Sequence, residues 1–118
     1  MKNFRDLQVW QKSHQLTLLL YNTTRTFPED EKYGLVSQIK RSAASIAANI
    51  AEGCGKNGDA ELGRYLQIAM GSASELEYHL LLAHDLKMVE AITYEELTLQ
   101  LSEIKKMLAS FIKKLKAN

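Results

Sequence analysis

The sequence predicts an all-α protein, an antiparallel up-down-up-down four-helix bundle. Three observations carry that expectation. Apolar residues recur at alternating spacings of three and four along long stretches, the signature of amphipathic helices. Helix-starting and helix-ending residues punctuate those stretches. No segment shows the two-residue alternation of a half-buried strand. The 118 residues suit one domain, 1–118, with one core, and 46% hydrophobic with 25% charged residues is a globular balance.

The first stretch carries Val9, Leu16, Leu20 and Phe27 on one stripe, and Leu7, Trp10, Leu18 and Tyr21 on a second. Asn3 or Asp6 is its N-cap. The second stretch repeats Val36, Ile39, Ala43, Ile46 and Ile50. Phe27-Pro28 opens it, with Glu29, Asp30 and Glu31 in a first turn where the helix dipole favours negative charge, and Gly34 falls in that turn. Gly53 closes it as the residue after the C-cap. The loop through Gly58 is short, so the second and third helices are antiparallel neighbours. The third helix is expected over about Ala60 to Leu86, capped by Asp59, on a seam of Leu62, Leu66, Ala69, Ala73, Leu76, Leu80 and Ala83. The fourth is expected from about Tyr94 to near Lys116, on Leu97, Leu101, Ile104, Leu108, Phe111 and Leu115. Thr93 to Glu96 reads as a capping box, with Ile92 and Leu97 placed for a hydrophobic staple.

Two features go beyond a plain bundle. Helix two is rich in small residues (Ser42, Ala43, Ala44, Ser45, Ala47, Ala48, Ala51), and helix three answers with Ala69, Gly71, Ser72, Ala73 and Ser74. Gly71 in mid-helix is about 1 kcal/mol less favourable than alanine. Close packing of helices two and three would offset that, and the alternative is a contact with another subunit. Helix one is apolar over too wide an arc for a single seam, and Leu81 and Leu82 widen helix three in the same way. That excess width points to a second buried face and a homo-oligomer.

The residues argue against catalysis and bound metal. A di-iron bundle needs Glu-x-x-His pairs on two helices, and the chain contains none: Glu75 precedes His79 by four. That pair reads as a surface or interface contact. Cys54, the single cysteine, lies in a glycine loop near a helix start, where a thiolate is favoured, but no histidine stands near it in sequence. The loop also lacks the Gly-Lys-Ser/Thr of a phosphate-binding loop. No apolar run approaches the length of a membrane span, and a lone thiol suits a reducing cytoplasm.

Charge placement says more than the net charge of +1. Beyond Ile104 the chain holds Lys105, Lys106, Lys113, Lys114 and Lys116 and no carboxylate side chain, whereas Asp85 to Glu103 is acidic. Lys40 and Arg41 sit together on helix two. A nearly neutral chain can therefore still present a basic patch for phosphates. The alternative is a solvated face with lysines placed favourably near a helix C-terminus.

The order of blocks resembles a known family. Phe4-Arg5-Asp6-Leu7-Gln8-Val9-Trp10-Gln11-Lys12 is similar to its opening signature. Phe27-Pro28, Tyr33-Gly34-Leu35, Gln38-Ile39-Lys40-Arg41 and Ser45-Ile46-Ala47-Ala48-Asn49-Ile50-Ala51-Glu52-Gly53 resemble its second block, and Ile68 to Leu76 its third. The family is that of the bacterial four-helix-bundle proteins encoded in intervening sequences of 23S ribosomal RNA genes, often labelled ribosomal proteins. The accessory variability proteins of diversity-generating retroelements are similar. Two positions depart from the pattern: Ala47 stands where proline is frequent, and Lys40 replaces a common arginine, which keeps the charge and loses the planar fork.

The resemblance implies a homopentameric ring and association with RNA or a nucleoprotein. The expected nucleic-acid contacts are Lys40 and Arg41, by motif, and Lys105, Lys106, Lys113 and Lys114, by charge placement. Trp10, Tyr21, Asn49, Glu52, Gly71, Ser72 and Glu75 are expected to serve oligomer formation or packing. The protein is thus expected to be cytoplasmic and non-catalytic, with no cofactor, metal, small-molecule substrate or membrane partner. A protein-protein scaffold without a nucleic-acid role is the alternative.

Overall fold

The computed structural model describes residues 2–117 and contains four α-helices: α1 (Gln8–Thr23), α2 (Leu35–Cys54), α3 (Asp59–Asp85) and α4 (Ala91–Ala117). Short 3-10 turns cover Phe4–Asp6, Thr24–Thr26 and Glu29–Glu31. Among the described residues there is no strand. Each helix packs against the next, and α4 closes back on α1, so that α1 and α3 occupy one diagonal and α2 and α4 the other. The bundle is 46 Å long and 23 by 20 Å across. The α2–α3 loop and the end of α4 lie at one end. The α1–α2 connection and the α3–α4 loop lie at the other.

The periodic stripes define the core. All seven seam residues of α3 are buried, as are Val36, Ile39, Ala43, Ile46 and Ile50 of α2. On α1 the buried stripe is Val9, Leu16 and Leu20, continued by Phe27 beyond the helix. Trp10, Leu7 and Leu19 pack partly against the core, while Leu18 and Tyr21 point outward. The broad apolar arc of helix one is thus real, and one bundle does not cover it. Three hydroxyls sit among the apolar side chains and are satisfied within their own helical turns: Ser13 Oγ donates to Val9 O at 2.7 Å, Thr24 Oγ1 to Leu20 O at 2.9 Å and Ser42 Oγ to Gln38 O at 2.8 Å.

Helix ends differ from the sequence expectation in instructive ways. Glu29, Asp30 and Glu31 form a separate turn, and α2 begins only at Leu35, after Gly34 interrupts the helical path. The Glu31 carboxylate takes the capping role, accepting from Leu35 N at 3.1 Å. Gly53 does not end α2. It lies inside the helix, where an added Cβ would stand 2.8 Å from Tyr65 Cβ and 3.0 Å from Leu62 Cδ1, so it is the point of closest approach between α2 and α3. The helix ends one residue later, at Cys54, with Gly55 as C-cap. Gly58, at φ 90°, makes the turn into α3, a conformation open to glycine and strained for other residues. Asp59 is the first helical residue rather than the cap, its charge at the positive end of the helix dipole.

At the far end of α3 the chain closes a Schellman motif: Met88 N donates to Ala83 O at 2.9 Å and Lys87 N to His84 O at 3.0 Å. Lys87 occupies the left-handed position, at φ 61°, where glycine is usual. The capping box expected at Thr93 does not form. Helix α4 starts at Ala91, Tyr94 N donates to Glu90 O at 2.9 Å, and Thr93 is already within the first turn. Tyr94 is stacked on His84, with ring centroids 4.2 Å apart, a contact that binds the start of α4 to the end of α3. Ile92 is exposed, so no staple closes there.

Candidate nucleic-acid interface

Charge is separated along the bundle axis. The α1–α2 connection and the α3–α4 loop bring Glu29, Asp30, Glu31, Asp85, Glu90, Glu95 and Glu96 to one end, against Arg25, Lys32 and Lys87. The opposite end carries Lys2, Arg5, Lys56, Arg64, Lys113, Lys114 and Lys116, against Asp6, Glu52, Asp59 and Glu61, with Lys106 nearer the middle of α4. A 46 Å length is several screening lengths at physiological salt, where the Debye length is about 8 Å. A polyanion therefore meets the local sign of one end and not the net charge of the chain.

The fold divides the expected basic residues. Lys40 and Arg41 lie on α2, diagonal to α4, and near its other end. Lys40 Nζ sits 4.8 Å from the Tyr21 ring centroid, a cation–π contact that ties α2 to α1. The α4 lysines fall on two faces. Lys105 points toward α3 and donates to Glu77 Oε1 at 2.8 Å. Lys113 and Lys116 line a shallow depression on that same side, with Gln67, Met70, Ala109 and Ile112. Lys106 and Lys114 face α1.

Between α1 and α4 those two lysines border a groove of about 680 Å³. Leu7, Val9, Met107 and Phe111 supply apolar surface, and Lys2, Gln8, Glu103 and Ser110 complete the lining. Lys2 is held at this end by its backbone, whose N–H donates to Cys54 O at 3.0 Å. Among the described residues Glu103 is the one carboxylate in the lining, and it pairs with Lys12 at 2.6 Å. Sequence reasoning missed Lys2, Met107 and the groove itself. The signal was present in the rows of α4, where 103, 107 and 111, and 106, 110 and 114, recur at fours and so share one face.

The residues expected to serve packing or assembly lie on two faces. Trp10 is stacked with His14 (centroids 4.9 Å, interplanar 9°) and meets Phe4 edge-on at 4.8 Å. Tyr21 continues this face of α1. Ser72 and Asn49 belong to a polar seam between α2 and α3: Ser45 and Ser72 Oγ are 2.8 Å apart, and Asn49 Nδ2 donates to Ser45 O at 2.8 Å and to its Oγ at 2.9 Å. Glu52 is exposed, and Glu75 contacts His79 Nε2 at 3.3 Å. His79 Nδ1 is buried and, among the described residues, has no hydrogen-bond partner. Gly71 corrects an expectation: an added Cβ there would meet nothing within 4 Å, so the α2–α3 contact does not require it. Ile68, Tyr78 and Leu81 are exposed on the same helix.

Three ionisable groups are displaced from their ordinary values: Cys54, Glu61 and Arg64, whose guanidinium is pushed up by its hydrogen bond to Glu61. Burial pushes the Cys54 thiol up, opposed in part by Lys2. The hydrogen bond and charge of Arg64 hold the Glu61 carboxyl below the usual range. Among the described residues no three His, Cys, Asp or Glu side chains come together in a way that could hold a metal ion, and no helix is long and apolar enough to cross a membrane.

Fold and surface together define a helical-bundle protein whose distinctive polar chemistry lies on its exterior, at one basic end. Residues 5–110 match the family model described as 23S rRNA-intervening sequence protein, and the chain belongs to that family. Among solved structures it is similar to a protein of unknown function from the S23 ribosomal protein family of Bacteroides thetaiotaomicron VPI-5482. The two are 32% identical, with a TM-score of 0.82, over 89% of this chain and 95% of that one. No curated protein matches the chain.

Proposed function

We propose that this protein is a non-catalytic, self-associating, cytoplasmic protein that binds RNA, or RNA within a nucleoprotein, through its basic end. The observation that carries the reading is the axial separation of charge, which gives a chain of net charge +1 an end where cationic side chains outnumber acidic ones. Membership of a family named for an rRNA intervening sequence supports RNA as the polyanion. Self-association is supported by the outward Leu18 and Tyr21 of α1 and Ile68, Tyr78 and Leu81 of α3, and a pentameric ring is the form that the sequence resemblance implies.

A filter-binding titration against structured RNA at low and physiological salt tests the reading. Binding that weakens as salt rises is expected, because bound lysines displace counterions from phosphates. No binding at low salt would remove the RNA reading. Light scattering of the same protein at micromolar concentration tests assembly, and a monomer mass would remove it.

The exposed apolar residues also favour a second reading, a protein-protein scaffold without RNA. That reading expects an assembled particle with no RNA affinity, its basic end covered by a protein partner.

A further inference from the structure

The basic end is more than a scatter of lysines, because the α1–α4 groove sets apolar surface beside positive charge. Resting on the RNA reading above, we propose that this groove docks an unpaired nucleotide of single-stranded RNA. A base lies against Phe111 and Met107, and the flanking phosphates lie on Lys106, Lys114 and Lys2.

The groove has the lining for such a guest. It is an open surface depression of about 680 Å³, so a base would rest on it with one face toward solvent. Leu7, Met107 and Phe111, each partly exposed, offer one aliphatic side chain, one thioether and one ring to a flat apolar face, while Val9 is buried. Stacking of a base on an aromatic ring contributes regardless of base identity. Lys106 and Lys114 are eight residues apart on α4, about 12 Å along the axis, and Lys2 joins the lining from the segment that precedes α1, its backbone N–H held by Cys54 O of α2 and its side chain exposed. The carboxylate that would repel a phosphate, Glu103, is engaged by Lys12.

This arrangement selects single strands over duplex. A duplex presents phosphates, 2′-hydroxyls and base edges but keeps its base faces stacked inside, whereas a splayed strand offers both a base face and phosphates, the two chemistries that the groove would engage. It also separates this site from Lys40 and Arg41. Those residues lie on the diagonal helix, and Lys40 is engaged with Tyr21.

Fluorescence anisotropy of the full chain tests the proposal, with a labelled oligouridylate of about 12 nucleotides and an RNA duplex of equal length. Three phosphate contacts on a single strand give a log–log salt slope of about −2. The K106Q/K114Q double variant changes exposed side chains and should retain wild-type circular dichroism. It is expected to bind at least about tenfold more weakly at low salt, with a slope near −0.7. Phe111→Leu keeps apolar bulk and is expected to weaken single-strand binding several-fold with the slope unchanged. K40Q/R41Q is expected to bind as wild type does.

The outcomes separate the two levels of the argument. Failure of the wild type to bind either RNA at low salt overturns the RNA reading and this site with it. Single-strand binding that survives K106Q/K114Q but not K40Q/R41Q overturns the groove and leaves the RNA reading standing. Equal affinity for duplex and single strand, or equal competition by polyglutamate of matched charge, overturns base docking.

Discussion

Ser45 Oγ and Ser72 Oγ meet at 2.8 Å across the α2–α3 interface, and Asn49 Nδ2 donates to the same Ser45 oxygen from one turn further along α2. A hydroxyl has one proton and two lone pairs, so Ser45 can accept from Asn49 while exchanging its remaining bond with Ser72. Small side chains along both helices let the backbones come close enough for two serine hydroxyls to touch.

Removing either hydroxyl takes the cross-helix partner from the other, while Asn49 keeps the Ser45 carbonyl. Ser45→Ala and Ser72→Ala are each expected to lower unfolding free energy by about 1 kcal/mol. The double variant is expected to lose less than the sum, because the two act in one contact. Urea denaturation of all four proteins measures the coupling, and full additivity would show that the hydroxyls act independently.

Gly53, near the end of α2, and Gly71, in the middle of α3, are expected to respond in opposite directions. Gly53→Ala forces a methyl against Tyr65 and Leu62 and should destabilise by about 1–3 kcal/mol. Gly71→Ala enters open space and should stabilise the isolated bundle by up to about 1 kcal/mol. If another copy packs on Gly71, the same change weakens the assembly while raising monomer stability. Thermal melts and sedimentation on one sample separate the two effects.

Lys87 holds the left-handed position of the Schellman motif, a conformation that disfavours non-glycine residues by roughly 1–2 kcal/mol. Lys87→Gly is expected to raise stability by a good part of that amount. An unchanged or lower melting temperature would mean that contacts of the lysine side chain outweigh the backbone gain.

Cys54 is buried with its pKa raised, so at neutral pH it holds less thiolate than a free cysteine. Native protein is expected to react slowly with a disulfide reagent and rapidly once urea unfolds it. Fast native labelling would show that the end of α2 opens readily.

Glu61 gives the acid side. Its pKa is lowered in the folded state, so its pairing with Arg64 stabilises above the unfolded carboxyl pKa and is lost as pH falls through the folded one. The pair is exposed, so the effect should be slight. Glu61→Gln is expected to flatten that part of the stability–pH curve, and an unaltered curve would show that the contact contributes nothing measurable.

Much of this architecture was legible in the sequence because burial follows periodicity. The α3 seam read from Leu62 to Ala83 is the buried face residue for residue. The α4 seam holds through Leu108 and then shifts: Ile112 is buried, whereas Phe111 is only partly so. A strict four-three alternation averages 3.5 residues, a helix turns every 3.6, and the mismatch accumulates over several turns. Helix boundaries were less legible. Thr93 to Glu96 has the residue types of a capping box, yet α4 has already begun at Ala91 behind the Schellman turn. The basic end was half legible. The α4 lysines stand out in the sequence, but which of them face α1 and which face α3 depends on helix rotation. That Lys2 joins them depends on where the chain enters the bundle.

The axial polarity has a consequence for any ring built from this chain. Copies arranged around an axis parallel to their helices would gather every acidic end on one rim and every lysine-rich end on the other, giving a two-faced particle. Crowding like charges opposes closure of such a ring, and dissolved ions relieve that crowding. Assembly would then strengthen with ionic strength while RNA capture weakens. The two activities would respond to salt with opposite signs, and one salt series on a single preparation would read both.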